Sequence, residues 1–469
     1  MKKYNLLKVL GITLLIVALV SWVIPAGFYE KGAYTPLNIT TPIGVYDLFR
    51  LPVVSIVTFI QYGILFLAIG GFYGVLNKTV AYSKLVNKVS SFDKNIFLTI
   101  TIVLFSLLAS VAGSLNVLFV LIPFFIAVLI KMGYSKLTSF ASTIGAMLIG
   151  QIGTTFGFST WGYFKYIFGV SMFDLILVRA ILFAMITALY VIIVRKKAAK
   201  EISAKNKQME KIDIPLHEEG KTDKSFMPLV ISFIVTFAFL LVGSYNWLYA
   251  FETEFFTMLY DAIMTFEFAD MPIFANILGG VSEIGFFGNY DIAIILIIVS
   301  AVVGWIYSLK VTDMIDGFIN GCKEMIKPAL YAMLSCVVFT AFLNMLNTYE
   351  GDFIYTIINT FVSGEAFNLS GTIGSGLVSS VAYNDFYTLV SNISAAFGAY
   401  NVKFYPIIAF VFTTMYSIVM LIAPTSMFLL AGLSYLEIPY KDWVKYIWKA
   451  LLIIFIIVII VAFIVTSMI

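Results

Sequence analysis

Charge is what this chain has least of. Only 12% of its 469 residues are Asp, Glu, Lys or Arg, while 61% are hydrophobic; a soluble domain carries roughly 25% charged residues. A water-soluble fold is excluded, and the lipid bilayer is the first expected partner. Histidine occurs once, as His217, in a charged stretch where it is expected to be solvated. Cysteine occurs twice, as Cys322 and Cys336, without a CxxC or Cys/His spacing. Disulfide frameworks and zinc sites have nothing to be built from, and neither has histidine-based hydrolysis. No catalytic residue and no metal ligand set is assigned. The net charge of +3 comes from basic residues at the ends of apolar runs rather than from a basic face, so nucleic acid is not an expected partner.

What is there is a succession of apolar runs. A spanning helix needs about 20 of them in a row, and the runs predict an all-α polytopic membrane protein with about nine spanning helices and two hairpins. Residues 7–24 follow Met1-Lys-Lys and have a longer apolar core than a signal peptide, with no small-x-small site behind it. They read as the first crossing, starting from a cytoplasmic N-terminus. A second helix covers about 54–76, with Gly70, Gly71 and Gly74 for close contact. Residues 195–224 hold nine Lys and Arg against six Asp and Glu and read as a cytoplasmic connector. Residues 248–291 carry acids and no Lys or Arg, which places them outside. A cytoplasmic amphipathic helix over 312–327 then precedes a crossing over 328–345, and the last helix covers 447–469, leaving the C-terminus outside.

Four interruptions stand out. Residues 95–130 lack charge but are broken at Gly113-Ser-Leu-Asn116 and are flanked by Lys94, Lys131 and Lys136. Two short crossings or a re-entrant hairpin satisfy that pattern, and the small polar turn favours the hairpin. Residues 370–399 form the second interrupted pair, with Ser380, Asn384 and Asp385 near its centre. The long crossings at 137–169 and 404–439 are broken by Gly150–Thr160 and by Pro424-Thr425-Ser426. Proline removes a backbone donor and clashes with the preceding turn. Broken helices at membrane depth are tolerated only inside protein or beside a cavity, and in secondary transporters paired breaks build the substrate site.

The parts occur in the same order twice, and the odd crossing at 226–247 inverts the second set. The expected division is a first repeat over 1–194, a linker over 195–225, a linking helix with an external segment over 226–291, and a second repeat over 292–469. The candidate substrate residues are Ser114, Asn116, Thr154, Thr155, Ser380, Asn384, Thr425 and Ser426. Their ordinary alternative is polar helix contact or hydroxyl back-bonding to helix carbonyls. Asp385 is the candidate for a sodium ion or a proton, because an intramembrane acid is functional by default; its alternative is a helix cap. Hairpin-tip amides suit a carboxylate. The reading is a secondary carrier of a small carboxylate-bearing solute; a channel would need a continuous polar pore, and an enzyme would need paired acids or histidine.

The chain also resembles the four-carbon-dicarboxylate anaerobic carrier family of the ion transporter superfamily, especially its branch of basic-amino-acid antiporters. The similar stretches are Trp22-Val-Ile-Pro-Ala-Gly-Phe-Tyr-Glu30, Gly70-Gly-Phe-Tyr-Gly-Val-Leu-Asn-Lys-Thr79, and Pro424-Thr-Ser426 with Ile438-Pro-Tyr440. The resemblance implies a scaffold with a transport domain working as an elevator, and a homodimer formed through scaffold helices. Relatives commonly carry paired glutamates where this chain has Leu115 and Asn116.

Overall fold

The computed structural model describes residues 5–205, 214–362 and 367–468. Among them the chain is almost entirely helical, and eight helices are long and apolar enough to cross a membrane. The first part comprises α1 (Asn5–Val23), a β-hairpin of β1 (Gly27–Glu30) and β2 (Ala33–Pro36), α2 (Val45–Thr58), α3 (Ile60–Lys78) and α4 (Ala81–Ser90). In the β-hairpin Gly27 is opposite Pro36 and Glu30 opposite Ala33. Then come α5 (Lys94–Val111) and α6 (Ile122–Lys131), joined through a 3-10 turn over Leu115–Val120. Next are α7 (Lys136–Phe140), α8 (Ala146–Ile152), α9 (Tyr163–Phe168) and α10 (Ile176–Lys205). The linking region holds α11 (Met227–Gly243), α12 (Trp247–Phe251), α13 (Phe255–Met264) and α14 (Ile273–Leu278). The remainder comprises α15 (Asn289–Ile306), α16 (Val311–Leu334), α17 (Val337–Tyr349), α18 (Phe353–Val362), α19 (Leu369–Ala382), α20 (Phe386–Phe397), α21 (Tyr405–Met420), α22 (Met427–Tyr435) and α23 (Tyr440–Thr466). The fragments α7–α9 and α22 are each too short to span alone, which is why a count of long helices misses the first broken crossing and counts only the α21 part of the second.

The centre of the fold is a glycine crossing between α3 and α16. A Cβ on Gly74 would lie 2.0 Å from the Gly317 carbonyl oxygen, and one on Gly321 would lie 1.9 Å from that of Gly70. Only glycine lets the two backbones touch, and small residues are what bring helices together where lipid removes the hydrophobic driving force. Phe318 lies over Gly71, and Met325 packs beside Gly70.

Both interrupted pairs are hairpins. The Tyr134 hydroxyl donates to the Lys94 carbonyl at 3.0 Å, which closes the base of α5 and α6. The base of α19 and α20 is closed by Phe367 stacked on Phe404, with ring centroids 4.5 Å apart. There the Gly32 amide of the β-hairpin donates to the Ala395 carbonyl at 3.0 Å. The first base lies at the Asn5 end of α1, and the second at the β-hairpin beyond its Val23 end, so the hairpins open at opposite ends.

Four expectations are corrected. The second helix is not one piece over 54–76, because the chain breaks at Phe59 between α2 and α3. Pro328 does not separate two helices but sits inside a continuous α16, buried among neighbours that compensate for its missing donor. The turn comes after it, at Ser335 and Cys336. The last helix starts at Tyr440, seven residues earlier than 447. His217 is not solvated, since its side chain is 1% exposed. The connector folds back as a strap: the Leu216 amide donates to Glu324 at 2.7 Å, the Glu218 amide to Asn77 at 3.2 Å, and Lys131 pairs with Glu219. His217 is thereby pressed edge-on to the Tyr82 ring. Part of the expected linker, 206–213, lies outside the described residues.

Two measurements test this packing. Gly74→Leu should lower the melting temperature sharply or prevent folding, since overpacking costs about 1–3 kcal/mol even where neighbours can yield and here the neighbour is backbone. Gly11→Leu is the control, because nothing lies within 4 Å of a Cβ there. Burial holds the His217 imidazole below its ordinary value of 6.5, against the pull of Glu219. The unfolded chain then takes up the proton first, so stability should fall as pH drops below 6.5 toward the lowered folded value. His217→Gln should flatten that dependence in a melting series.

Candidate functional site

Each half brings a hairpin tip to a helix break. In the first, α5 ends at Val111 and the chain turns through Ala112, Gly113 and Ser114. A Cβ on Gly113 would lie 2.3 Å from the Ser244 carbonyl, so glycine lets the tip sit against the end of α11. The break runs over 153–157 between α8 and a π-helical turn at Phe158–Gly162. Ser110, in the last turn of α5, satisfies most of it. Its carbonyl accepts from the Thr155 and Gly157 amides, both at 2.9 Å, and its hydroxyl reaches the Gly153 carbonyl at 3.1 Å. The Thr154 and Thr155 hydroxyls also turn to the Ser110 carbonyl, at 3.2 and 3.3 Å.

In the second half the tip is Tyr383, Asn384 and Asp385. Asp385 caps α20, its Oδ2 accepting from the Thr388 amide at 2.8 Å and from the Thr388 hydroxyl at 2.7 Å. The Tyr416 hydroxyl donates to the Asn384 carbonyl at 2.6 Å, tying α21 to the tip. Pro424 lies in the break over 421–426, and no side chain caps the N-terminus of α22.

Both tips, the helix ends flanking the first break and the end of the second break line one cavity of about 130 Å³. Its walls include Ser114 and Asn116 from the first tip, Gln151 of α8 and Ser159 of the π-helical turn on either side of the first break, Asn384 and Asp385 from the second tip, Ser426 from the second break, and Met427 and Phe428 from the start of α22. Tyr62 of α3, Tyr163 of α9 and Tyr416 add phenol rings. Three lining atoms are buried without a hydrogen-bond partner among the described residues: Asn116 Oδ1, Ser159 Oγ and Ser426 Oγ. A buried polar atom left unpaired costs about 1–3 kcal/mol, so these atoms are poised for a ligand. The amide of Asn116 is already engaged, donating to Asn289 at 2.7 Å. Ligand pockets commonly measure about 300–1,000 Å³; this smaller volume suits a solute of few heavy atoms. Asp385 is the cavity's one carboxylate among the described residues.

The family model for the C4-dicarboxylate anaerobic carrier (DcuC) matches residues 5–467. The chain belongs to that family. It is therefore a secondary transporter rather than an enzyme. No individually curated protein matches it. Among solved structures, the Alcanivorax borkumensis YdaH transporter, described as having an unusual topology, is similar at 11% identity over 99% of this chain and 98% of that one. Its TM-score of 0.40 is too low to carry an argument about this carrier.

Five of the nine candidate residues reach the cavity: Ser114, Asn116, Asn384, Asp385 and Ser426. Four do not. Thr154 and Thr155 face away toward Ser110, because the break's own backbone claims them. Ser380 bonds back to the Gly376 carbonyl at 2.5 Å, as a mid-helix serine does. Thr425 is buried beside the cavity without lining it.

Sequence reasoning missed Gln151, Ser159 and the three tyrosines, because glutamine, serine and tyrosine in an apolar protein carry no signal of direction. It also missed Arg179, for which a signal exists: it is a cation three residues into the apolar start of α10. Ser110→Ala should destabilise the purified carrier by about 1–3 kcal/mol, read as a lowered melting temperature, because the Gly153 carbonyl loses the hydroxyl that donates to it.

Proposed function

We propose that this protein carries a small carboxylate-bearing solute, an amino acid or a short organic acid such as a four-carbon dicarboxylate, by ion symport or exchange. The observation that carries the reading is the cavity where both tips, the flanks of the first break and the end of the second converge, with Asn116 Oδ1, Ser159 Oγ and Ser426 Oγ unpaired in its walls among the described residues. The uncapped N-terminus of α22 offers amides and the positive end of a helix dipole to a carboxylate, and the Ser426 hydroxyl stands beside them. Asp385 keeps Oδ2 on its cap and presents the cavity with the charge that holds a sodium ion or a proton. No other cofactor enters the scheme.

Movement is of the elevator kind. The glycine crossing of α3 and α16 supplies a rigid scaffold, and the hairpins with the broken helices form the moving unit. The scaffold helices also supply the surface for a homodimer. The protein lies in the cell membrane with its N-terminus and strap inside and its C-terminus outside, as the positive residues of the strap favour. Exchange of basic amino acids is the second reading; the single carboxylate in the cavity weighs against it, because a cationic side chain wants more than one acid.

A thermal-shift screen of purified protein against amino acids and organic acids, with and without sodium, should find a stabilising carboxylate, since a ligand that binds only the folded state raises its stability by mass action. In proteoliposomes Asp385→Asn should keep the fold but abolish concentrative uptake of that solute. Normal uptake by this variant across pH and sodium concentration would reduce Asp385 to a helix cap.

A further inference from the structure

The helix that follows each broken crossing begins with side chains aimed back at the break, and the two halves do this with different chemistry. In the second half, Trp443, the fourth residue of α23, donates its indole N–H to the Leu421 carbonyl at 2.8 Å. Tyr440, the first residue of that helix, donates its hydroxyl to the Ile422 carbonyl. In the first half the fourth residue of α10 is Arg179. Its Nη1 donates to the Thr155 carbonyl at 2.6 Å and to the Thr154 carbonyl at 3.4 Å, and its Nη2 donates to the Met172 carbonyl. The guanidinium lies 3.7 Å from the centroid of the Trp161 ring, and the residue is 1% exposed. It belongs to none of the ion pairs among the described residues. A neutral pair and a full positive charge thus occupy matching places.

The difference matters because of where these carbonyls are. The C-terminal end of a half-helix carries roughly half a negative charge, and in broken-helix carriers such carbonyl ends hold the coupling cation. At the first break that position is filled. A Cβ on Gly153 would lie 2.4 Å from Phe183 Cα, so α10 is pressed directly on the break. The fork of an arginine is charged at any working pH and fits several acceptors at once. At the second break the carbonyls are served without adding charge, and the Asp385 carboxylate stands at the same cavity.

We propose that Arg179 is a fixed internal cation that takes, in the first half of the carrier, the place of a dissociable coupling ion, so that any cation coupled to transport is bound by the second half alone, beside Asp385. Arg179 is a positioning residue: it does not touch the cavity but holds the break that does. The inference rests on the carrier reading above.

The test uses the full-length protein in detergent and in proteoliposomes, with Arg179→Ala, Arg179→Lys and Arg179→Trp. Arg179→Ala should melt lower than wild type, and millimolar guanidinium should restore it while urea, its neutral counterpart of similar shape, should not. Sodium against choline at constant ionic strength should stabilise Arg179→Ala by an increment beyond that seen in wild type, as the emptied carbonyls take an ion. Arg179→Lys should keep most uptake of the solute found by the screen. Arg179→Trp, which copies the second half, should lose roughly tenfold, the scale of one charge-assisted hydrogen bond. Rescue by urea equal to that by guanidinium, or Arg179→Trp matching wild type in melting and uptake, would reduce Arg179 to a neutral-replaceable cap and overturn the proposal. If Arg179→Ala does not fold, the ranking of Lys above Trp decides alone. Wild-type protein that transports none of the probes would defeat the carrier reading, whereas the guanidinium and sodium responses in detergent would still judge Arg179.

Discussion

The structure depends on one obligation: a polypeptide interrupted inside a membrane has no water to satisfy its backbone, so each freed amide and carbonyl must find a partner in the protein. Ser110 meets much of that obligation at the first break, with one carbonyl accepting two amides. Arg179 serves the Thr154 and Thr155 carbonyls and the Tyr245 hydroxyl serves that of Phe156, while Trp443 and Tyr440 act at the second break. The cavity is what is left where the partners stop. Asn116 Oδ1, Ser159 Oγ and Ser426 Oγ face it without a protein partner among the described residues.

Around this centre the fold is firm where α3 meets α16, because backbone against backbone at Gly70, Gly74, Gly317 and Gly321 permits no repacking. Polar groups are concentrated on the other side, at tips and breaks held by hydrogen bonds of 2.6–3.3 Å rather than by interdigitated apolar side chains. Hydrogen bonds of this kind can be exchanged for others at little net cost, whereas a glycine contact is kept or lost as a whole. A carrier needs both. The strap at 214–225 joins them at one end, engaging Asn77 and Glu324 from the firm side and Lys131 and Tyr435 from the other.

Much of this was legible in the sequence. Scarce charge, apolar runs of spanning length, glycines in α3, and the interruptions at 113–116, 150–160, 379–385 and 422–427 are all local features, and local features report themselves. The resemblance carried by the stretches around Trp22, Gly70 and Pro424 pointed to the family that the chain is shown to belong to. Thr154, Thr155, Ser380 and Thr425 were equally visible as polar residues in apolar surroundings, yet their hydroxyls serve neighbouring backbone or lie beside the cavity instead of lining it. Composition says that a hydroxyl is present and nothing about which way it turns.

The sequence by itself determined that the chain is a membrane protein, that two hairpins and two long crossings are interrupted, and which carboxylate sits at the second tip, because hydropathy, proline chemistry and glycine geometry act over a few residues. Only the tertiary structure decided that Gly74 faces Gly317, that the His217 side chain is buried beneath its strap, that Tyr62 and Tyr416 share a cavity with Asp385, and that Arg179 reaches the Thr154 and Thr155 carbonyls of the first break. These depend on residues far apart in the chain meeting in space. With lipid on the outside and no water within, burial is decided by which helix happens to lie alongside, and no single stretch of sequence contains that information.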